Sequence, residues 1–407
     1  MTVDTDVLVI GGGATGTGIA RDLALRGVDV TLVERGGLSS GTSGRSHGLL
    51  HSGARYAEAD RRGADECLEE NEIIRDIAGH CIRDTGGLFV QLEEDDADYF
   101  EAKRSACEEV GIPTETLDAD EAREVVPDLA EDVVRVMEVP DAVIYPSRLG
   151  AANAADAREN GASIHPHTPV EDIAVEDARV TGVHVGGEID DRIEADYVVS
   201  ATGAWAGQVA AMAGLDVQMK PTRGVMVSMD YDELGPVLNR CRDPDDGDII
   251  VPHEDEAVVG TTSVPVRDPD EYETEEWEVQ KSIDECAAML PPIADAAEVR
   301  TWWGVRPLYA PDEDARGGRG ISRGFFLLDH EADGVDNMAS IVGGKLTTYR
   351  QMAEAVSDLV CDDLGVEADC VTADRRMPAV DDPDALDELV AEFDGQGPTD
   401  EDVVGAE

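Results

Sequence analysis

The chain has 407 residues, of which 90 are Asp or Glu and 32 are Lys or Arg, and its formal net charge at pH 7 is -58. A field of that sign repels phosphodiester backbones, so the composition excludes nucleic acid as a partner. Hydrophobic residues make up 42% of the chain and recur in strand-like segments, which excludes a disordered acidic polypeptide.

The N-terminal segment predicts one βαβ unit. Residues 7–10 form a continuous apolar run, which is typical of a strand buried on both faces. A glycine-rich turn follows at 11–16, and the apolar spacing of a helix then runs from Ala14 to a stop at Gly27. A second strand at 28–33 completes a unit of about 30 residues.

Downstream of this unit, short apolar segments alternate with helical patterns. Strands are predicted at residues 87–90, 163–167, 180–185, 197–201, 225–229, 249–251, 257–260 and 341–342, and helices at 67–77, at 99–110 and after the last strand, ending near 364. A polar turn separates the strands at 249–251 and 257–260, which favours an antiparallel region.

A G-x-G-x-x-G motif at residues 11–16 lies between the first predicted strand and helix, and Glu34 follows it at the tip of the second strand. In dinucleotide-binding folds such glycines permit a tight turn, a close approach of the backbone to the pyrophosphate, and close helix–strand packing. The helix N-terminus offers amides to the phosphates, and Glu34 is expected to accept hydrogen bonds from the adenosine ribose. The predicted cofactor-binding residues of this unit are Gly11, Gly13, Ala14, Thr15, Gly16, Glu34 and Arg35.

The segment 36–48 is dense in Gly, Ser, Thr and Arg, and this composition indicates which dinucleotide the chain binds. Its amides and hydroxyls can wrap a second phosphate and the edge of a flavin, a need that nicotinamide enzymes do not have. We therefore expect FAD rather than NAD, with a further close backbone approach after the strand that ends at residue 201. The residues assigned to FAD in these segments are Thr42, Ser43, Arg45, Ser46, His47, Gly48, Leu49, Thr202, Gly203 and Trp205.

These residues resemble the FAD-dependent glycerol-3-phosphate dehydrogenase family, within the wider D-amino-acid-oxidase-like flavoproteins. The matching segments are GGGATGTGIARDLALRG at 11–27, GTSGRSHGLLHSGARY at 41–56, ATGAWAG at 201–207, KPTRGVMV at 220–227, WWGVRPL at 302–308, Ser322-Arg323 and GGKLTTYRQMAE at 343–354. The segment that ends in GARY is most similar to the catalytic (A) subunit of the anaerobic, multi-subunit type.

The resemblance implies an α/β protein in which a Rossmann-like FAD-binding domain is interleaved with an α+β substrate domain that contains an antiparallel sheet. We expect the FAD-binding domain at 1–80, 141–220 and 301–365, and the substrate domain at 81–140 and 221–300. For the acidic C-terminal segment, 366–407, two interpretations stay open: a linker, or the start of a further module.

The resemblance also implies a reaction, the oxidation of sn-glycerol 3-phosphate to dihydroxyacetone phosphate by FAD. Electrons would then pass to a partner chain and to a membrane quinone. Two alternatives remain: a related flavoenzyme that acts on a 2-hydroxy acid or an amino acid, and a flavin-binding relay subunit without its own activity. The retained arginines and lysine favour the phosphorylated substrate, since a carboxylate needs fewer cationic groups.

The expected substrate site is carried over from the family residue by residue. Arg55 and Arg323 are expected to hold the phosphate, with Tyr56 beside Arg55, and Arg306 to lie near the reacting hydroxyl and the flavin. Lys345 is expected to serve either the phosphate or the carbonyl edge of the flavin. The turn around it supplies further cofactor-binding residues, namely Gly344, Leu346, Thr347 and Thr348.

Two histidines compete for the role of catalytic base. His51 is the first candidate because it precedes Arg55 by four residues, and His253 is its rival on the predicted antiparallel sheet. His47 is expected to pack against the flavin. His165 and His167 alternate along a short strand, which is more typical of a solvated face than of a metal site, so no metal is expected.

The cysteines and the apolar segments bear on the compartment. Seven cysteines occur without any C-x-x-C pair, which argues against a disulfide framework, a zinc site or an iron–sulfur cluster. No secretory signal precedes the first strand, and no apolar run reaches the roughly 18 residues of a membrane span. We expect a cytoplasmic protein that is peripheral to the membrane only through a partner.

Only four basic residues are lysines, namely Lys103, Lys220, Lys281 and Lys345. A surface rich in carboxylates and poor in lysine resembles proteins of halophilic organisms, which keep molar salt in the cytoplasm. At about 1 M salt the Debye length is about 3 Å, so repulsion between surface carboxylates is screened. In low salt the same charges destabilise the fold.

We therefore predict that the protein unfolds when molar KCl is removed. The measurement is the melting temperature across a KCl series from molar to millimolar concentration, and it should fall steadily as the screening is lost. A melting temperature that stayed constant over the series would contradict this interpretation of the charge.

Overall fold

The computed structural model describes residues 3–187, 189–310 and 324–398. Its strands are β1 Val3–Ile10, β2 Val30–Val33, β3 Leu49–Leu50, β4 Ile82–Arg83, β5 Gly87–Leu92, β6 Glu115–Asp118, β7 Val133–Val139, β8 Ala142–Ile144, β9 Ser163–His165, β10 Val170–Glu176, β11 Arg179–Val185, β12 Asp191–Ser200, β13 Thr222–Met229, β14 Val237–Arg240, β15 Ile249–His253, β16 Glu256–Gly260, β17 Val264–Pro265, β18 Glu298–Arg306, β19 Phe325–Asp329 and β20 Met338–Gly343. Its helices are α1 Ala14–Leu25, α2 Arg61–Ala78, α3 Ala97–Val110, α4 Ala119–Val125, α5 Pro146–Glu159, α6 Ala206–Met212, α7 Glu276–Ala287, α8 Tyr349–Leu364 and α9 Pro383–Glu392. Within the described ranges, no helix combines the length and apolarity that crossing a membrane requires.

Sheet I has the strand order β10–β11–β12–β1–β2–β9, with β20 beside β12 and β19 beside β20. Strand β1 pairs in parallel with both β12 and β2. Val7 and Val9 pack with α1 and α8, whereas Leu8 and Ile10 pack with α6 on the opposite face. Because both faces of β1 are covered, its apolar residues are continuous rather than alternating.

Sheet II has the order β17–β13–β16–β15–β14–β5–β7–β6, with β18 beside β13. The parallel pairing of β14 with β5 joins the two chain segments of the expected substrate domain into one sheet. Strand β18 pairs antiparallel with β13, and Arg306 lies opposite Thr222. The expected domain boundary at residue 300 therefore falls inside a strand, and residues up to Arg306 belong to sheet II.

A short third sheet, β3–β8–β4, connects the two larger ones. Leu49, Val143 and Tyr145 pack against Ile249 and Val251 of β15. This apolar contact is one of those that join the two halves of the molecule.

Residues 366–398, after α8, pack against this fold instead of forming a linker. Helix α9 packs on α5, and Leu386 and Phe393 are buried. Arg148 and Arg158, both from α5, form ion pairs with Asp387 (2.7 Å) and Glu392 (2.5 Å). The acidic composition conceals this packing in the sequence, because few apolar residues carry it.

A buried ion pair joins α1 to α5. Arg21 Nε lies 2.8 Å from Asp156 Oδ2, and the two side chains are 1% and 2% exposed. Without Arg21, the buried carboxylate of Asp156 keeps only the half-exposed Arg375 as an ionic partner (3.2 Å), and breaking a buried pair costs about 3–5 kcal/mol.

We predict that Arg21→Ala lowers the free energy of unfolding by that amount, measured by urea titration in molar KCl. The matched control is Arg62→Ala, which breaks the pair with Glu66 (2.8 Å) at a side chain that is 87% exposed. This control should change stability little. Equal effects of the two substitutions would refute the argument from burial.

Candidate active site

A cavity of about 680 Å³ lies between sheets I and II. On one side it is bounded by the carboxyl ends of β1, β2 and β12 and by the N-terminus of α1. On the other side it is bounded by Gly224, Met226 and Arg306 of sheet II. In open α/β sheets, ligands bind beyond the carboxyl ends of the parallel strands, so the cavity lies where the sequence predicts the cofactor.

The glycine-rich turn brings the backbone to the edge of this cavity. Gly11 has a φ of +108°, and a Cβ there would lie 2.7 Å from the oxygen of Ala201. A Cβ at Gly16 would lie 1.8 Å from the oxygen of Gly11, so Gly16 serves the packing of α1 and does not line the cavity. The expected cofactor-binding residues of this unit that line the cavity are Gly11, Gly13, Ala14, Thr15, Glu34 and Arg35.

Glu34 has a second task besides facing the cavity. Its two carboxylate oxygens accept hydrogen bonds from the amides of Gly12 (2.7 Å) and Gly36 (2.9 Å). The carboxylate therefore ties the glycine-rich turn to the loop that follows β2.

Arg35 and Trp205 form one wall of the cavity, together with Thr202 and Gly203. The guanidinium carbon of Arg35 lies 4.3 Å from the ring centroid of Trp205. Arg35 also forms an ion pair of 2.9 Å with Asp270, a residue that no sequence motif identifies. This pair links sheet I to the segment between β17 and α7.

The loop at 36–48 contacts both halves of the molecule. Ser43 Oγ accepts a hydrogen bond from the amide of Ala14 (3.0 Å), and Thr42 Oγ1 donates one to the carbonyl oxygen of Val305 (2.6 Å). Gly48 does not line the cavity; its φ is +73°, and a Cβ there would lie 2.8 Å from a backbone oxygen of β8. The loop residues on the cavity, within the expected set, are Thr42, Ser43, Arg45, Ser46, His47 and Leu49.

The turn after β20 completes the wall. The expected residues that line the cavity here are Gly344, Lys345 and Leu346. Thr347 and Thr348 are buried behind them: Thr347 Oγ1 accepts from the amide of His51 (3.1 Å), and Thr348 Oγ1 accepts from the amide of Lys345 (3.2 Å). They shape the turn instead of touching the cavity.

The geometry of these residues is compatible with a bound FAD. Gly13 lines the cavity without a side chain, which leaves room for a pyrophosphate beside the backbone, and the N-terminus of α1 faces that place. The Nζ of Lys345 is buried and has no hydrogen-bond partner among the described residues. Burying an ammonium without a partner is unfavourable, and an anion or a flavin carbonyl oxygen would relieve the cost.

Arg55 lines the cavity from the segment after β3. Its Nη2 lies 2.7 Å from Asp248 Oδ1, and its Nη1 donates to Asn239 Oδ1 (3.3 Å). Burial lowers the pKa of Arg55, but the ion pair with Asp248 outweighs it and raises that pKa. Behind them, Asn239 also donates to Asp141 (3.4 Å), whose pKa is raised by burial. Arg55 is thus charged and held in one orientation.

Arg306 and Lys345 face the same cavity as Arg55. Arg306 Nη2 donates to Thr261 Oγ1 (3.2 Å), and Lys345 Nζ lies 4.9 Å from the ring centroid of Tyr56. Arg55, Arg306 and Lys345 come from distant parts of the chain and line one cavity, as do Arg35 and Arg45. Arg323 lies outside the described residues.

His51 and Tyr56 form a pair on the cavity wall. Tyr56 Oη lies 3.3 Å from His51 Nε2, and the two rings meet edge to face with centroids 5.2 Å apart. This arrangement gives the imidazole a hydroxyl neighbour through which a proton can move.

His253 does not reach the cavity. It is 2% exposed, and its Nε2 lies 2.9 Å from the carbonyl oxygen of His47. Desolvation lowers its pKa to about 4, and Arg83 and Arg300 add to that effect. His253 is therefore a buried neutral histidine, and the prediction that it competes with His51 is corrected.

Lys103 is not among the residues predicted from the sequence, although the scarcity of lysine marks it. Its Nζ is buried and donates to Glu58 (2.7 Å) and to the carbonyl oxygen of Ala54 (3.1 Å). Lys103 therefore anchors the segment that carries Arg55. Asp248 and Asn239 give no local signal, because only the fold brings them to Arg55.

His165 and His167 are not gathered into a metal site. His167 Nε2 lies 3.1 Å from Asp394 Oδ2. Within the parts of the chain that the structure describes, no group of three or more His, Cys, Asp or Glu side chains is placed to hold a metal ion.

Comparison with known proteins identifies the class. The family model described as FAD dependent oxidoreductase matches residues 6–350. The A1 subunit of the anaerobic glycerol-3-phosphate dehydrogenase of Haloferax volcanii is 51% identical over 98% of this chain and 70% of its own length. The corresponding A subunit of the Escherichia coli enzyme is 44% identical over 93% of this chain and 71% of its own length. The chain belongs to the FAD dependent oxidoreductase family, among the A subunits of anaerobic glycerol-3-phosphate dehydrogenases. The family resemblance and the cofactor predicted from the sequence are confirmed.

Solved structures agree on the fold. A glycerol-3-phosphate dehydrogenase of Bacillus halodurans, solved with FAD, has a TM-score of 0.71 at 25% identity over 96% of this chain and 71% of that one. L-α-glycerophosphate oxidase of Mycoplasma pneumoniae has a TM-score of 0.73 at 19% identity, and the match covers 88% of this chain and 94% of that one. Glycine oxidase of Geobacillus kaustophilus has a TM-score of 0.72 at 23% identity, and the match covers 92% of this chain and 99% of that one. The expected fold class is confirmed.

The burial of His253 predicts a specific pH dependence. Its pKa is 6.5 when unperturbed and about 4 in the folded chain. Above pH 6.5 the imidazole of His253 is neutral in both the folded and the unfolded chain. Between pH 6.5 and 4 this imidazole binds a proton in the unfolded chain but not in the folded chain. Stability is therefore lost as the pH falls through that window, by on the order of 3 kcal/mol.

We predict that His253→Gln, which keeps a hydrogen-bond donor, reduces this loss while leaving turnover little changed. The measurement is the free energy of unfolding at several pH values between 4 and 7 in molar KCl. An identical pH profile for the variant, or a collapse of turnover, would contradict the structural role.

Proposed function

We propose that this chain is a catalytic subunit that oxidises sn-glycerol 3-phosphate to dihydroxyacetone phosphate. The observation that carries the proposal is the meeting of Arg55, Arg306 and Lys345 at the cavity, in a chain whose net charge is -58. These three cations line the cavity in addition to Arg35 and Arg45, and such a concentration of positive charge in an acidic chain favours an anionic ligand. A phosphate close to a dianion requires such an anchor.

Arg55 is the proposed phosphate anchor. Its guanidinium is fixed by Asp248 and Asn239, so the side chain loses little freedom when the substrate binds. Lys345 approaches from the other side of Tyr56 and can serve either the phosphate or the flavin carbonyl edge. Arg323 stays a proposal from the family resemblance.

His51 is the proposed base. It would accept the proton of the substrate hydroxyl at Nε2, and Tyr56 Oη, 3.3 Å away, would steady the protonated imidazole or pass the proton on. Arg306 would stabilise negative charge on the reacting oxygen. When bound, FAD supplies the acceptor for the hydride of the carbinol carbon.

The electrons are proposed to leave through partner proteins toward a membrane quinone. Support comes from the relatives, whose names designate them as the A and A1 subunits of their enzymes. The chain itself would then be cytoplasmic, lying at the inner face of the membrane through those partners.

The test is a visible absorption spectrum of the protein in molar KCl, recorded before and after anaerobic addition of glycerol 3-phosphate. The flavin band should bleach with this compound and not with glycerol or lactate. Bleaching by lactate or an amino acid would favour a related flavoenzyme. A flavin that stays oxidised with every compound would favour a relay subunit.

We predict that Arg55→Ala raises KM for glycerol 3-phosphate by about tenfold to a hundredfold, as expected for losing charged hydrogen bonds. Arg55→Lys, which keeps the charge beside Asp248, should recover part of the loss. Arg61→Ala, at an exposed pair with Glu109, serves as the control and should keep the original KM. An unchanged KM in Arg55→Ala would remove Arg55 from the anchor.

A further inference from the structure

The backbone of Leu38 is held by the segment that follows α9. The Leu38 amide donates to the carbonyl oxygen of Phe393 (3.2 Å), and the amide of Gln396 donates to the carbonyl oxygen of Leu38 (2.9 Å). Leu38 and Phe393 are both buried in the same apolar cluster. We call residues 393–396 the C-terminal turn.

Two glycines of the loop at 36–48 make room for the C-terminal turn. A Cβ at Gly37 would lie 1.8 Å from the carbonyl oxygen of Asp394, and a Cβ at Gly44 would lie 2.3 Å from that of Gln396. Neither glycine lines the cavity. These positions therefore serve contact with the C-terminal turn and not contact with the cofactor.

Hydrogen bonds continue from Leu38 to the cofactor cradle. The next residue, Ser39, donates its amide to the carbonyl oxygen of Gly12 (2.9 Å) and accepts from the amide of Gly44 (2.8 Å). Ser43 then accepts from the amide of Ala14, the first residue of α1 (3.0 Å). The C-terminal turn and the start of α1 thus hold opposite sides of one short loop.

Contacts on either side keep the C-terminal turn in place. Asp394 Oδ2 lies 3.1 Å from His167 Nε2, and the amide of His167 donates to the carbonyl oxygen of Gly36 (2.9 Å). Beyond the turn, Arg300 Nη2 donates to the carbonyl oxygen of Pro398 (3.1 Å). The turn is therefore fixed to the same loop and also to sheet II.

We propose that the C-terminal turn is a positioning element of the FAD site. It holds residues 38–44 against Gly12, so that Thr42, Ser43 and Arg45 face the cofactor. The turn does not line the cavity, so its effect on cofactor affinity passes through Leu38 and Ser39. This inference depends on the family's cofactor and not on the proposed substrate.

The first test is Gly37→Ala, because its methyl group would push Asp394 away without entering the cavity. Losing the two hydrogen bonds of Leu38 should raise the Kd for FAD by about tenfold, measured by the fluorescence of released flavin in molar KCl. The control is Gly235→Ala, whose Cβ would meet nothing within 4 Å, and its Kd should stay within about twofold of the original. An unchanged Kd in Gly37→Ala, alongside a lower urea midpoint of the FAD-free protein, would show a merely structural role and overturn the proposal.

A second test uses the unmodified chain and so does not depend on a variant that folds. If the C-terminal turn and FAD binding are coupled, the coupling is reciprocal. Adding FAD to the FAD-free protein should slow hydrogen exchange at the amides of Leu38 and Gln396. The expected factor is about the one by which Gly37→Ala raises the Kd for FAD. The amide of Gly111, bonded to Cys107 at the end of α3 (3.0 Å), should not respond. Unchanged exchange at Leu38 and Gln396 would also overturn the proposal.

Discussion

The attraction between a few fixed cations and anionic ligands governs the whole site, because the rest of the chain repels anions. With a net charge of -58, long-range steering works against a phosphorylated substrate. Binding must come from short-range contacts inside a cavity, where solvent and salt screen least. In the proposed mechanism Arg55, Arg306 and Lys345 would supply those contacts, and each lies in a different segment of the chain. The fold can thus be described as a frame that brings scattered cations to one place.

The same constraint explains why buried carboxylates accompany the cations. The guanidinium of an arginine surrounded by surface acids would form an ion pair with the nearest carboxylate, and its orientation would not be fixed by the fold. Asp248 is almost fully buried and holds Arg55 at 2.7 Å, so the orientation of the guanidinium is set by the fold. Lys103 acts in the same way on the backbone before Arg55. Interior acids and bases determine geometry here, while surface acids determine the response to salt.

The parts predictable from sequence are those whose causes are local. The run at 7–10 indicated a strand covered on both faces, and the glycine spacing at 11–16 indicated the turn beside it. The environment of His253 could not be predicted locally, because its burial and its 2.9 Å contact with the carbonyl oxygen of His47 depend on the fold. The packing of residues 366–398 was hidden for a related reason: a few apolar side chains, such as Leu386 and Phe393, carry it within an acidic segment.

The order of the strands has a consequence for how the chain matures during synthesis. The central strand β1 is made first, but its neighbour β12 begins at residue 191, β20 begins at residue 338, and the contacts to Leu38 come from residues 393 and 396. A nascent chain would expose the glycine-rich turn on the ribosome long before its walls exist. The last residues that line the cavity lie in the turn after β20 and at the start of α8, so the complete cofactor site forms only after they have left the exit tunnel.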